Sequence, residues 1–410
     1  MRFLHTSDWH LGRSLYGQKR YEQFEAFLDW LLKVIEEENV DTLLICGDIF
    51  DTTLPSNRSQ RLYYNFLSKN TASHTIIIGG NHDSPTFLEA SKELLQAMNI
   101  TVIGSARNDP EQEVITLYNE KGKAEAIIAA VPYLRDKDIR LVESGESADE
   151  KNRKITSGIR EHYEQVCTIA LNTREELMKN SGSYIPIIAT GHLFTAGGKT
   201  TEDDGVRDLY VGSLAHINEQ SFPDCIDYLA LGHLHISQMV GGKEHFRYSG
   251  SPIPMGFGEA DQTKKINIVS FEDSAMNIEQ LSIPSFRKLL KIDGSLDEIT
   301  QKIAEAEIDS PEAWIEIEYT KGEMIPDLRE KIEEIMKNTS LSLLRIKNRV
   351  TMNRYLQQSQ KAETLDELDV NEVFERLLHT TGFDEEEKKE LRDSFKEIII
   401  SMQEDDTNAM

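Results

Sequence analysis

Three short stretches carry side chains able to hold metal ions: Asp8-Trp9-His10, Gly47-Asp48-Ile49-Phe50-Asp51 and Gly80-Asn81-His82-Asp83. Two more repeat the glycine-then-ligand pattern, Gly191-His192 and Gly232-His233-Leu234-His235. Carboxylate, imidazole and amide donors without a thiolate suit Mn2+, Fe2+ or Zn2+ at a hydrolytic centre. Taken singly, each stretch reads as ordinary loop polarity, and an Asp-x-His pair is more often that than a ligand pair. Together, Asp8, His10, Asp48, Asn81, His82, His192, His233 and His235 form a complete inventory for two ions, with the Asp48 carboxylate placed to be shared. Two divalent ions held close together clamp a phosphate and activate water.

The elements that must position these residues are strands. Apolar runs at 2–6, 42–46, 75–78, 185–190 and 227–231 each precede one stretch. Ligands of open α/β sheets gather beyond the carboxyl ends of such strands. Helical apolar spacing covers 21–38, 57–70, 85–98 and 157–179. Further strands are expected at 101–104, 113–118, 124–131, 246–254 and 266–271. This alternation predicts a layered α/β fold. His162, in the long helix, reads as a surface or packing residue. Arg13, Lys19 and Arg20 follow the first stretch and are candidate contacts for a DNA backbone, with solvated surface an equal alternative.

From about residue 284 the pattern stops, and 284–350 reads as a small α+β domain of β-α-β-α-β order. A polar, Gln-containing linker at 351–364 leads to two amphipathic helices within 365–402. Such a pair must bury its apolar face on the same chain or on a partner. At 410 residues the chain is expected to form two or three domains. No run of about 18 apolar residues or charged-then-apolar leader is evident, so no membrane span is expected. Cys46, Cys167 and Cys225 are isolated, which fits a reducing cytoplasm. The net charge of −26 argues against a protein that coats DNA non-specifically. It does not exclude a nuclease, because bound cations would supply local positive charge.

The order D-x-H, G-D, G-N-H-D, G-H, G-H-x-H resembles the calcineurin-like metallophosphoesterase superfamily. Within it, His5-Thr6-Ser7-Asp8-Trp9-His10-Leu11-Gly12, Gly47-Asp48-Ile49-Phe50-Asp51-Thr52, Gly80-Asn81-His82-Asp83-Ser84 and Gly250-Ser251-Pro252-Ile253-Pro254 resemble a family of bacterial DNA-nuclease subunits. The resemblance implies a four-layer α-β-β-α sandwich over 1–283, a capping domain over 284–350, and a helix-loop-helix that docks on the coiled coil of an SMC-like ATPase. It implies two Mn2+ ions, with Mg2+ a possible substitute. One would take Asp8, His10, Asp48 and His235, the other Asp48, Asn81, His192 and His233. His82 would act on the leaving oxygen, and Asp83 would orient it or another ligand. Archaeal and eukaryotic relatives carry a histidine where this chain has Asp51, so no catalytic role transfers to that carboxylate.

The implied activity is ATP-dependent 3′–5′ exonuclease action on duplex DNA and endonuclease action on single strands. The implied assembly is a homodimer within a heterotetramer, cytoplasmic and nucleoid-associated when on DNA. Two rival readings are a small-substrate phosphatase or phosphodiesterase and a structural DNA-end clamp. A complete ligand set counts against the clamp, and substrate size separates the two enzymes.

Overall fold

The computed structural model describes residues 1–140, 147–200, 217–322, 325, 327–350 and 392. The expected linker at 351–364 and, Arg392 apart, the helix pair at 365–402 lie outside these residues. Residues 1–319 with 325–347 form one compact unit.

The chain runs through Arg2–Thr6 (β1), a small hairpin of Ser14–Leu15 (β2) and Gln18–Lys19 (β3), Tyr21–Glu37 (α1), Thr42–Cys46 (β4), Asn57–Lys69 (α2) and His74–Ile78 (β5). Pro85–Glu89 (α3), Lys92–Gln96 (α4), Ile100–Ile103 (β6), Val114–Tyr118 (β7), Ala124–Ala129 (β8), Asp136–Ile139 (α5) and Ala148–Ser181 (α6) follow. Next come Ile187–His192 (β9), Tyr228–Gly232 (β10), Gln238–Val240 (β11), Lys243–Tyr248 (β12), Lys265–Glu272 (β13) and Ala275–Ser282 (β14). Leu289–Gly294 (β15), Leu296–Asp309 (α7), Trp314–Tyr319 (β16), Leu328–Met336 (α8) and Ser342–Asn348 (β17) complete the described elements.

Two six-stranded sheets carry the molecule, in the orders β14-β13-β1-β4-β5-β6 and β11-β12-β10-β9-β8-β7. In the first, β1, β4, β5 and β6 are parallel. In the second, β8, β9, β10 and β12 are parallel. Alternate residues of a strand serve opposite faces, and β4 shows it. Leu44 and Cys46 join a core with Ala126, Ile128, Ile188 and Ala230 of the other sheet. Leu43 and Ile45 face Phe24, Phe27 and Leu31 of α1 and Phe66 of α2. On the second sheet, Ala189, Leu229 and Leu231 pack with Ile159, Tyr163 and Val166 of α6. Burial on both faces explains why these strands read as unbroken apolar runs. The mixed, parallel-rich α/β class follows the sequence expectation.

The third sheet, β15-β16-β17, is joined to the rest by Leu289 and Trp314, which pack with Leu15 and Phe257. Its helix α7 starts at a capping box, with Ser295 Oγ accepting from Glu298 N and Glu298 Oε2 accepting from Ser295 N.

Three local expectations change. The helix expected over 85–98 is broken into α3 and α4. At the break, Glu89 accepts from Gly104 N at 2.8 Å and pairs with Arg107, tying this turn to the end of β6. Strand β14 has no counterpart in the sequence reading, because half-exposed Ala-Met-Asn-Ile-Glu-Gln-Leu-Ser at a sheet edge lacks an apolar signature. His162 is no solitary packing residue: it pairs at 2.8 Å with the fully buried Glu113.

The ends of β4 and β10 approach so closely that a Cβ on Gly232 would stand 1.9 Å from the Cys46 carbonyl oxygen. The obstacle is backbone and cannot swing aside. Gly232→Ala is therefore expected to lower stability by about 1–3 kcal/mol or more, read as a shifted urea midpoint at unchanged slope.

Candidate metal centre

The ligand-type residues sit on loops that leave β1, β4 and β5 of one sheet and on the ends of β9 and β10 of the other. Asp8, His10, Asp48 and His233 all have positive φ, at 54°, 47°, 51° and 100°. Non-glycine residues adopt this region at a cost, and such strain persists only where surrounding structure imposes it. Here the loops lace each other. Asp8 N donates to Gly47 O at 3.0 Å, His10 N to Asp48 O at 2.9 Å, and Leu11 N to Ile49 O at 2.9 Å.

Asp83 supplies a second lace. Its carboxylate accepts from Ile49 N, Phe50 N and Gly80 N at 3.1, 3.0 and 2.9 Å. Burial and the nearby Asp48 push Asp83 up to about 6, against the three amides that favour its ionised form. Asp83 is expected from the sequence to orient His82 or another ligand, and no bond from its carboxylate to a histidine ring is among those it makes to Ile49, Phe50 and Gly80. Its oxygens are committed to backbone amides, and it fixes the loop carrying Asn81 and His82 against the loop carrying Asp48.

Asp48 lies between two groups of side chains. Its Oδ2 is 3.3 Å from His192 Nε2 and 3.7 Å from His10 Nε2. On one side, Asp8, His10 and His235 converge, with His10 Nε2 3.2 Å from His235 Nε2. On the other, His192 Nε2 and His233 Nδ1 each stand 3.0 Å from Asn81 Oδ1. Asp8, His10, Asp48, His192 and His235 are buried. The close approach of Gly80 to Asp48 makes room for this: a Cβ there would stand 2.2 Å from Asp48 Oδ1.

The donor chemistry fits divalent cations. His192 Nδ1 is 2.9 Å from the Cys46 carbonyl oxygen. A carbonyl only accepts, so Nδ1 carries the hydrogen, and a neutral ring turns its Nε2 lone pair toward Asp48 and Asn81. His10 and His235 likewise oppose ring nitrogens. Acceptors facing acceptors in a buried place are relieved by a cation or by protons. Burial pulls His10 down to about 4 and His233 down to about 3, so both rings are neutral and ready to ligate. Burial also opposes charge on His192, yet the Asp48 carboxylate overrides it and raises His192 to about 9. Burial alone would raise Asp48, but His192 and the other rings hold it well below the usual carboxylate range.

His82 is half-buried at the edge of this cluster. Its backbone N donates to Asp48 Oδ1 at 2.9 Å, and its Nδ1 meets the Asp51 carbonyl oxygen at 2.9 Å. The Asp51 carboxylate lies 3.4 Å from His10 Nδ1 and 3.5 Å from Arg13 Nη1. Lys19 is exposed. Arg20 is not available to DNA: it is 1% exposed, donates to Pro254 O at 2.6 Å and to Gln23 Oε1, and lies over the Trp314 ring. That expectation is corrected, because its guanidinium is spent inside the fold.

Sequence reasoning missed Glu259 and Lys264. Both are buried and paired with each other, and Lys264 Nζ also donates to His235 O at 3.0 Å. Burial would raise Glu259, but the Lys264 ammonium holds it down to about 2. The pair carries no spacing signal, since Glu259 lies 24 positions from the histidine it approaches. His5 was also missed as a strut: buried, it meets Tyr228 Oη at 2.9 Å and Leu231 O at 3.1 Å in the opposite sheet.

Fold and centre define a metal-dependent phosphodiesterase, and residues 1–237 match the family profile described as calcineurin-like phosphoesterase. The chain belongs to this family and, within it, to the SbcD nuclease subunits. It is 35% identical to the SbcD subunit of nuclease SbcCD from Escherichia coli (strain K12) over 407 residues, 98% of each chain. To the protein of the same name from Bacillus subtilis (strain 168) it is 30% identical over 333 residues, 79% of this chain and 80% of the relative. Residues 285–381 match a second profile, described as Type 5 capsule protein repressor C-terminal domain. Among the described residues, no helix is long and apolar enough to cross a membrane.

A metal held by His192 would have to displace its proton, so affinity is then expected to rise with pH up to about 9. Below about 9, metal binding should release about one proton, measurable by calorimetry in buffers of different ionisation enthalpy. In the metal-free protein the sign is opposite. The raised His192 stabilises the fold fully below 6.5, and this is lost as pH rises through about 9.

Proposed function

We propose that this chain is the nuclease subunit of an SbcCD-type complex, cutting DNA phosphodiesters at a two-ion Mn2+ centre. The observation that carries this is the Asp48 carboxylate set between two convergent groups of acceptors. The relative named as a nuclease subunit, alike over nearly the whole chain, supports a nucleic-acid substrate over a small phosphodiester. One ion would be held by Asp8, His10, Asp48 and His235, the other by Asp48, Asn81, His192 and His233. Mg2+ is a possible substitute.

Bound ions of this class supply Lewis-acid activation of water and neutralise charge on phosphate. The protein's own groups do the rest. Asp48, ionised and shared, sets the spacing of the two groups. Asp83 locks the loops so that Asp48 and Asn81 stay in register. His82 directs Nδ1–H at the Asp51 carbonyl, which leaves Nε2 as the nitrogen free to act on substrate. In its protonated form it donates the Nε2 proton to the departing oxygen or offsets its charge. Of the expected phosphate contacts, the half-buried Arg13 and the exposed Lys19 remain.

The proposed activity is 3′–5′ exonuclease action on duplex ends and endonuclease action on single strands and hairpins, in DNA repair, replication and recombination. The partner is an SbcC-type SMC-like ATPase, whose ATP cycle gates access and whose coiled coil receives the helix pair within 365–402. The working assembly is a heterotetramer around a homodimer, in the cytoplasm. The proposed domain plan is a phosphoesterase domain over 1–283, a cap over 284–350, a linker over 351–364 and the docking helices.

End-labelled linear duplex should lose its label in Mn2+, with the ATPase partner and ATP. Chelation with EDTA or Asp48→Ala should abolish this. Turnover of a small chromogenic diester with no DNA cleavage, partner present, would instead establish a small-substrate phosphodiesterase. His82→Gln should retain metal stoichiometry while cleavage falls on the order of a hundredfold or more. Metal loss in that variant would make His82 a ligand instead.

A further inference from the structure

The two groups flanking Asp48 differ in what stands behind their imidazoles. Behind His192 is a neutral carbonyl, Cys46 O, 2.9 Å from Nδ1. Behind both rings of the other group are carboxylates. His10 Nδ1 lies 3.4 Å from Asp51 Oδ1, and His235 Nδ1 lies 3.6 Å from Glu259 Oε1. Two of these atoms, His10 Nδ1 and Glu259 Oε1, are buried and have no hydrogen-bond partner among the described residues. Each orphan faces its complement across a gap slightly longer than a hydrogen bond, as contacts in unliganded sites often do before they tighten.

Glu259 is also held firmly. It is 0% exposed, its Oε2 accepts from Met255 N at 3.0 Å, and it pairs with Lys264. Lys264 Nζ in turn donates to Ser251 Oγ at 3.1 Å and to the His235 carbonyl at 3.0 Å. The same lysine thus fixes both the carboxylate and the backbone of the histidine it faces. Asp51 is placed similarly: its carbonyl takes His82 Nδ1 while its carboxylate faces His10.

We infer that Asp51 and Glu259 are positioning residues for the Asp8–His10–His235 group, and that their two charges make it the tighter of two unequal metal sites. An Nδ1–H donated to a carboxylate fixes the tautomer that presents Nε2 and makes that nitrogen more basic. A carbonyl fixes the tautomer with less effect on basicity. Asp51 therefore has a task of its own, exerted through His10 rather than on substrate. This inference rests on the two-ion reading above.

The test is calorimetric titration of the full-length chain with Mn2+, independent of cleavage. Wild type should bind in two resolved steps. His235→Ala should delete the tight step and Asn81→Ala should weaken the other. Asp51→Ala should weaken the tight step on the order of 10–100-fold and leave the weak step in place, with Asp51→Asn between. Glu259→Gln combined with Lys264→Met, which removes the buried pair together, should act on the same step. Thermal melting of the metal-free variants shows whether folding is intact. Should the double variant not fold, the half-buried Asp51 decides. Two equal steps in wild type, or loss falling on the weak step, would overturn the inference. Absence of any Mn2+ binding by wild type would instead overturn the two-ion reading.

Discussion

One constraint governs this molecule: acceptor atoms from two different sheets must be held face to face in a buried place. Asp48 Oδ2 stands within 4 Å of ring nitrogens of His10 and His192, and Asn81 Oδ1 stands 3.0 Å from the same His192 nitrogen and from His233 Nδ1. Such an arrangement is repulsive unless positive charge occupies it. The surrounding structure is what keeps it from relaxing. Backbone strain at Asp8, His10 and Asp48 is held by the hydrogen bonds between the β1 and β4 loops and by the three amides on Asp83, and at His233 by its N–H donated to Asp8 Oδ1 at 2.9 Å. The candidate ligands are thus arranged in advance, so that a cation bound there would meet them with little reorganisation.

The acidic net charge is consistent with this logic. A protein with a formal charge of −26 repels a polyanion at long range. Such a nuclease would rely on bound cations at the site and on a partner to bring DNA to it. Arg20 illustrates the point from the other side. A residue that could have met phosphate is buried among Gln23, Pro254 and Trp314, where it braces the junction between the phosphoesterase sheets and the third sheet.

The segment between β12 and β13 links several of these functions. Phe257 packs with Leu15, Leu289 and Trp314, and stacks on Tyr16. Two residues on, Glu259 faces His235. The contact with the third sheet and the carboxylate that faces His235 therefore share a single short turn.

The sequence by itself determined the elements and the chemistry available to the site. Unbroken apolar runs announced strands buried on both faces, and glycines before Asp48, Asn81, His192 and His233 marked where backbones converge. Residue types with no thiolate named a class of cation. It also carried the family likeness, since motif order survives in one dimension. What it did not contain was anything set by distance across the fold. The edge strand β14 was invisible because half-exposed residues leave no periodic signal. His162 and Glu113, 49 positions apart, became a pair only on folding. Asp83 was expected to orient His82 or another ligand, and only the tertiary structure showed its carboxylate on three backbone amides. Glu259 and Lys264 lay in a loop without any motif until the packing of Ser251 and Met255 turned them toward His235. Spacing along a chain encodes which side chains share a face of one element. Which faces meet, and which charges are then buried together, is decided by the packing of sheets and loops from distant parts of the sequence.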